Sequence, residues 1–491
     1  MPGTELQQPS HSTLDPRWLW RAVFWIAAIT GFRIIALWFN KIDLFVDEAQ
    51  YWFWGQNLEF GYFSKPPLIG WTLRAVTDLA GSSSGFWVRL PGPMLHGVTA
   101  LLLFLWIQRE ESGQAGFWTA FSYLTLPLVA VGNAWISTDT IMAPFFAAAL
   151  LFYWRMLSEG TTGLAVLAGL AIGLAFLAKY AAVYFFLGAA TAALFLPDFR
   201  PKPRWVLLLG LTFLAVISPN LIWNATNDLT TIRHTADNIR WITPNGTGPG
   251  LNFIEMVEFL GSQVGVFGPV FFVLLVVAAV SRPTAKERGY LLFALPVILL
   301  VTFQALFARA YANWAAAAYL TATPFVVVWV LTRSRFRVLQ GALVVNGALC
   351  LLVPFVTIWP ESVQTQDGTP AMYRYLGRHA LSAKIFAAAR DLGLNHVVAS
   401  NRNILADLFY TGRDSEFRVS STGAPAHYYA QKHALRPDEP GPFLFVTKKG
   451  TLRCGGVELA PSVVFDTTGG AYYRSSIFGY EVPDVCRDAI R

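Results

Sequence analysis

Two adjacent carboxylates, Asp47 and Glu48, follow the first apolar segment of this chain, and the stretch beyond them reads Gly61-Tyr62-Phe63-Ser64-Lys65-Pro66-Pro67-Leu68. Paired acids, aromatics and a Lys-Pro-Pro are a poor lipid-facing surface, and ionisable groups at membrane depth are expensive and usually functional. Asp47 is placed to act as a general base toward an acceptor hydroxyl, or, more blandly, to cap a helix over 48–58. Glu48 could position a sugar or a metal ion, or serve as a first-turn helix acid. Lys65 could hold a phosphate as a point charge or snorkel to the interface.

Lys179 interrupts an otherwise apolar run, Leu174-Ala175-Phe176-Leu177-Ala178-Lys179-Tyr180. A bare ammonium there needs a partner, unless it sits in a loop between two short spans. Asp139 is a candidate for that partner, for a second site acid, or for a cap of the next helix. Arg33, inside the first apolar segment, could pair with a carboxylate or reach the head groups. Arg233, His234 and Arg240 fall in one loop, as site cations or as solvated charge. Arg309, Tyr311 and Asn313 cluster before Trp314. Tyr311 and Asn313 could hydrogen-bond a substrate, as could Tyr62, while interfacial anchoring accounts for Tyr311 and Trp314 as well.

These residues need a scaffold, and composition names it. The chain has 491 residues, 54% hydrophobic and only 14% charged, with a mean hydropathy of +0.45. Soluble domains carry roughly 25% charged residues. The expectation is an all-α polytopic membrane protein. Eleven apolar segments are expected as spans: 18–39, 93–107, 115–132, 140–154, 163–178, 181–196, 205–221, 261–280, 290–306, 314–331 and 338–358. Several fall short of the ~20 residues a straight span needs. Residues 1–17 read as a cytoplasmic N-terminal segment with no signal-peptide core, residues 18–359 as a transmembrane domain with a large first outer loop over 40–92.

With the N-terminus inside, the even-numbered connections carry Arg109, Arg155, Arg200, Lys202, Arg204, Arg282, Lys286, Arg288, Arg333, Arg335 and Arg337, in agreement with the positive-inside rule. Asp47, Glu48, Lys65, Asp139, Lys179, Arg233, Arg309, Tyr311 and Asn313 then gather on the outer side. The net charge of +7 is mostly a topology signal. No phosphate-binding glycine motif and no long basic tract is present, so nucleic acid is not an expected partner.

The segment 360–491 is more polar, and reads as a small α/β domain on the outer side. Helical spacing covers 369–392, strands are expected at 396–400, 443–447 and 463–466, and a helix at 404–409. No catalytic motif stands out in it; an accessory or acceptor-presenting role and a stabilising one are both open. Cys350 reads as packing, whereas Cys454 and Cys486 could form a disulfide if their Cα atoms are close enough.

Taken in order, Asp47-Glu48-Ala49-Gln50-Tyr51-Trp52, the Ser-Lys-Pro-Pro stretch, Arg89-Leu90-Pro91, Ile136-Ser137-Thr138-Asp139, Ala178-Lys179-Tyr180 and Asn313-Trp314 resemble the bacterial branch of the dolichyl-phosphate-mannose–protein mannosyltransferase-like glycosyltransferases. The resemblance covers about residues 18–330. It implies a C-type glycosyltransferase fold and a polyprenyl-phosphate-sugar donor, and an active site on the periplasmic face of the bacterial inner membrane. It also implies Asp47 as base, Lys65 and Lys179 toward the donor phosphate, and Asp139 as a second acid; Arg233, outside these motifs, is a further candidate for the donor phosphate. Where family members often carry a histidine before the late tryptophan, this chain has Asn313.

The expected activity is therefore transfer of a sugar to a lipid or glycan acceptor such as lipopolysaccharide or lipid A, among membrane lipids. A phosphodiester donor carries a single negative charge, so no cofactor is obligatory, although Asp47, Glu48 and Asp139 could hold a divalent ion. A protein O-glycosyltransferase is an alternative. A transporter or flippase of a lipid-linked sugar is another; transporters place such charges near the bilayer midplane in repeated halves, and no internal repeat is visible here. A non-catalytic scaffold for envelope assembly would tolerate loss of Asp47.

Overall fold

The structure is a computed structural model and describes residues 15–239, 250–423 and 427–490; Arg240 lies outside them. Two compact units divide the chain. The first comprises Met1–Trp38, Lys65–Leu68 and Arg89–Pro354, the second Phe39–Ser64, Ile69–Val88 and Phe355–Arg491.

The first unit is helical. Among the described residues seven helices are long and apolar enough to cross a membrane: Pro16–Trp38, Gly85–Glu110, Thr138–Glu159, Pro203–Thr226, Ala285–Phe307, Ala312–Thr332 and Phe336–Ile358. Two bent pairs, Gly113–Leu124 with Pro127–Ala134 and Phe253–Phe267 with Pro269–Val280, and two shorter apolar helices, Thr162–Ala178 and Tyr180–Phe195, complete the set. Each expected apolar segment is met by one of these. Four of the short expected segments, 93–107, 140–154, 205–221 and 290–306, lie within the longer helices Gly85–Glu110, Thr138–Glu159, Pro203–Thr226 and Ala285–Phe307, whose polar ends hydropathy leaves out.

Local chemistry explains the breaks. Prolines open Pro91–Glu110, Pro127–Ala134, Pro203–Thr226 and Pro269–Val280, where their missing N–H costs nothing. Ser112, Ser137, Thr161 and Thr284 cap helix starts through their hydroxyls. The sharpest bend, 110°, falls at Gly268. That glycine has φ +91, and a Cβ there would lie 1.9 Å from Asn346 Oδ1. Asn346 Nδ2 donates to the Phe267 carbonyl at 3.3 Å, satisfying a group that the bend frees from helical pairing. The helix Ala312–Thr332 is almost fully enclosed, whereas Pro16–Trp38 and Phe336–Ile358 expose rows such as Trp20, Phe24, Ile35, Val344 and Leu351, as lipid-facing helices must.

The second unit joins most of the 40–92 loop to the C-terminal segment. A five-stranded sheet runs in the order Arg418–Ser421, His396–Ala399, Phe443–Thr447, Ile477–Val482, Val463–Phe465. Its first three strands are parallel and its last two pairings antiparallel. The helix expected over 369–392 starts only at Arg378, because Gly377 sits at φ +74, a left-handed conformation that does not continue a helix. Strands at Arg418–Ser421 and Ile477–Val482 lie beyond those expected from sequence. Cys454 and Cys486 are disulfide-bonded, with Cα atoms 5.2 Å apart.

The loop is woven into this unit. The Asp43 carboxylate accepts from the Arg378 N–H at 2.8 Å and so caps the helix Arg378–Asp391. The helix Val46–Gly55 packs on Arg402–Thr411, with Phe53 and Phe409 ring centroids 4.5 Å apart. Tyr410 donates to the Ser83 carbonyl at 2.6 Å.

Candidate active site

Within the first unit three sequence candidates come together. Lys179 Nζ lies 2.7 and 2.8 Å from the two Asp139 oxygens, and Asn313 Nδ2 donates to Asp139 Oδ2 at 2.8 Å. Each belongs to a different break in helical structure. Asp139 is in the first turn of Thr138–Glu159, where Ser137 provides the cap, leaving the carboxylate free for other use. Lys179 has an extended backbone between Thr162–Ala178 and Tyr180–Val183. Asn313 sits in the 3-10 segment Ala312–Ala318. The side chains of Lys179 and Asp139 are only 13% and 12% exposed, so the pair is largely desolvated. Among the described residues Asp139 is the hydrogen-bond partner of the Lys179 ammonium, through both of its oxygens.

Asp139 and Asn313 also line a cavity of about 210 Å³ whose walls include His96, Tyr123, Trp135, Met142 and Leu320. His96 Nδ1 lies 2.7 Å from the Tyr123 hydroxyl. Arg33, buried, donates from Nη2 to the Leu124 carbonyl, at the break before Pro127, rather than to head groups. Gly132 makes this close packing feasible, since a Cβ there would approach His96 Nε2 to 2.5 Å.

The remaining candidates of this unit are Lys65, Arg233, Arg309 and Tyr311. Lys65 is half-buried. Arg233 is exposed on the helix Thr230–Ile239. Arg309 and Tyr311 are exposed, the guanidinium 5.2 Å from the phenol centroid, and the Tyr311 ring is tilted at 60° to that of Trp314, centroids 5.7 Å apart.

In the second unit, Asp47 and Glu48 have different surroundings. Glu48 is 2% exposed and its Oε2 accepts from the Phe45 N–H at 2.9 Å, closing the first turn of Val46–Gly55. Capping thus falls to Glu48 and leaves Asp47 available. Asp47 keeps 46% of its side chain exposed. Its Oδ1 accepts from Arg402 Nη2 at 2.5 Å, and Arg402 Nε donates to Gln50 Oε1 at 2.7 Å. Tyr62 is fully buried, stacked on Trp54 at 4.9 Å, and donates to the Trp54 carbonyl at 2.9 Å; these are contacts that hold the loop. Burial pushes its phenol pKa above the usual value.

Arg402 and Gln50 escaped the sequence reading. Arg402 lies 355 positions from Asp47, and no local pattern marks it. Gln50 carried a signal, since its i, i+3 spacing from Asp47 puts both on one helix face. Among the described residues no three His, Cys, Asp or Glu side chains converge as a metal site would require.

Comparison with known proteins agrees with this architecture. Residues 64–223 match the family model described as dolichyl-phosphate-mannose-protein mannosyltransferase. The chain is 39% identical over 470 residues to the lipid A galacturonosyltransferase RgtD of Rhizobium johnstonii, covering 94% of this chain and 98% of that one. It is 30% identical over 287 residues to the lipopolysaccharide core galacturonosyltransferase RgtB of the same organism, covering 54% and 56%. Among solved structures, ArnT from Cupriavidus metallidurans bound to undecaprenyl phosphate shares the fold, with TM-score 0.66 and 13% identity over 94% of this chain and 98% of that chain. With its span pattern, this fold and 39% identity along nearly the whole of both sequences, the chain belongs to the family of membrane glycosyltransferases that contains RgtD.

Proposed function

We propose that this protein transfers galacturonic acid from a polyprenyl-phosphate carrier to lipid A, at the periplasmic face of the bacterial inner membrane. The observation that carries the reading is the near full-length likeness to a lipid A galacturonosyltransferase. The carrier is supported by the shared fold with ArnT, a structure of which holds undecaprenyl phosphate. The periplasmic face rests on the distribution of arginine and lysine among the connections.

In this account the acceptor hydroxyl gives its proton to Asp47, and its oxygen attacks the anomeric carbon. The bond from that carbon to the phosphate oxygen breaks on the opposite side, inverting the centre. The polyprenyl phosphate leaves with an added negative charge, which fixed cations in a dry site stabilise. Lys179 serves this role while Asp139 and Asn313 hold it in place, and Lys65 and Arg233 supply further positive charge. Arg309, Tyr311 and Asn313 are proposed substrate contacts, and Glu48 a support for Asp47. Nothing in the chemistry demands a cofactor.

The experiment is mass spectrometry of lipid A from a deletion strain and from the strain complemented with this chain. Loss of one uronic acid on deletion, restored by complementation, is expected. Unchanged lipid A would overturn the acceptor, and a different lost sugar would overturn the donor.

A further inference from the structure

The C-terminal segment contains no catalytic motif, yet it reaches the residue on which the proposed chemistry turns. Arg402 opens the helix Arg402–Thr411, whose start is capped by Asn401 through hydrogen bonds from the Asn403 and Ile404 N–H groups. From there its guanidinium forks. Nε goes to Gln50 Oε1 at 2.7 Å and Nη2 to Asp47 Oδ1 at 2.5 Å. Gln50 is 2% exposed and is a rigid anchor for the fork. Beside the pair stands Tyr429, which is fully buried and whose hydroxyl has no hydrogen-bond partner among the described residues. Among those residues the Asp47 carboxylate makes no other hydrogen bond, so Oδ2 is open.

We propose that Arg402 is a positioning residue for Asp47: by pinning Oδ1 against Gln50 it turns Oδ2 toward the acceptor hydroxyl, and the C-terminal segment thereby belongs to the catalytic apparatus. The inference rests on the reading of Asp47 as the base. A half-exposed carboxylate in the first turn of a helix would otherwise sample several rotamers, only some of them productive. A guanidinium suits the task because it is planar, presents donors in a fixed fork and does not titrate. An ammonium at the same place could satisfy Asp47 or Gln50, but not both with that geometry. The benefit is orientational. Ion pairs this exposed contribute little to stability, so loss of Arg402 should leave the fold standing while misplacing the base, and misplacement by ~1 Å can cost ~100-fold in rate.

The test uses the full-length protein in detergent or proteoliposomes, with Arg402→Ala, Arg402→Lys, Gln50→Leu and Asp47→Asn. Arg402→Ala should lower kcat by about 10–100-fold, with donor KM nearly unchanged and an unaltered melting temperature. Added methylguanidinium should restore part of the lost kcat, and Arg402→Lys should fall between wild type and alanine. If Arg402→Ala folds poorly, Arg402→Lys and Gln50→Leu carry the test, each lowering kcat without raising donor KM. Wild-type kcat in these variants, or a loss confined to KM, would overturn the positioning role while leaving the base intact. Wild-type turnover in Asp47→Asn would instead overturn the base reading on which it depends.

Discussion

Lys179 is held by both oxygens of Asp139, at 2.7 and 2.8 Å, in a setting where each side chain is about one-eighth exposed. A pair so enclosed is costly to break from one side, because the survivor is left charged and desolvated.

Asp139→Ala and Lys179→Met are therefore each expected to destabilise the protein by about 3–5 kcal/mol. The double variant should lose less than the sum, with a coupling of ~0.5–3 kcal/mol. Thermal unfolding of purified protein in one detergent checks this, and strict additivity would mean that the two side chains do not depend on one another. Transfer should fall in all three variants.

Asp47→Asn preserves shape and removes basicity. Because Glu48 caps the helix and Asp47 does not, the fold should be unaffected. Turnover should drop by about 100-fold or more, the range of a lost general base. Initial rates beside melting temperatures separate the effects, and a variant that keeps wild-type rates would return Asp47 to a structural role.

The disulfide ties the hairpin strand Leu452–Cys454 to Cys486 across 32 positions. Replacing both cysteines by serine should cost about 2–5 kcal/mol in the C-terminal segment. Limited proteolysis should then cut within that segment sooner than in wild type. Identical proteolysis kinetics with and without the bond would contradict this.

The transmembrane pattern was legible because span length and hydropathy report directly on the bilayer, and the Asp139–Lys179 pairing because a lysine in an apolar run demands a counter-ion. The expected span 261–280 ran straight through Gly268 and Pro269, where the helix bends by 110° and Asn346 from a distant helix supplies the hydrogen bond. Tyr62 read as a substrate contact because nothing local reveals that Trp54 covers it. Arg402 was invisible for the reason that makes it interesting: its partner lies at the other end of the chain. The late start of the helix Arg378–Asp391 turned on one glycine conformation that apolar spacing does not report.

His396 is 3% exposed and its Nε2 lies 2.9 Å from Ser420 Oγ. Burial holds its imidazole below the usual pKa. The folded state thus binds the proton less readily than the unfolded chain. Its contribution is fully present above the unfolded pKa of about 6.5 and declines as pH falls below it. Asp407, pushed up to about 6 by burial despite Arg378, acts in the opposite sense, weakening the fold as pH rises from the ordinary carboxylate range through about 6. His396→Gln keeps a hydrogen-bonding group without the titration. Compared with wild type at each pH, it should show a smaller loss of melting temperature on acidification below neutrality, with the share of Asp407 cancelling. Parallel curves would contradict the assignment to His396.

The most direct test of the central claim is reconstituted transfer. Purified protein in proteoliposomes would be given polyprenyl-phosphate galacturonate and lipid A, and the product weighed by mass spectrometry. The account predicts lipid A bearing one added uronic acid with wild type and almost none with Asp47→Asn of equal melting temperature. Folded wild-type protein that leaves lipid A unmodified with this donor, or an Asp47→Asn variant as productive as wild type, would contradict it.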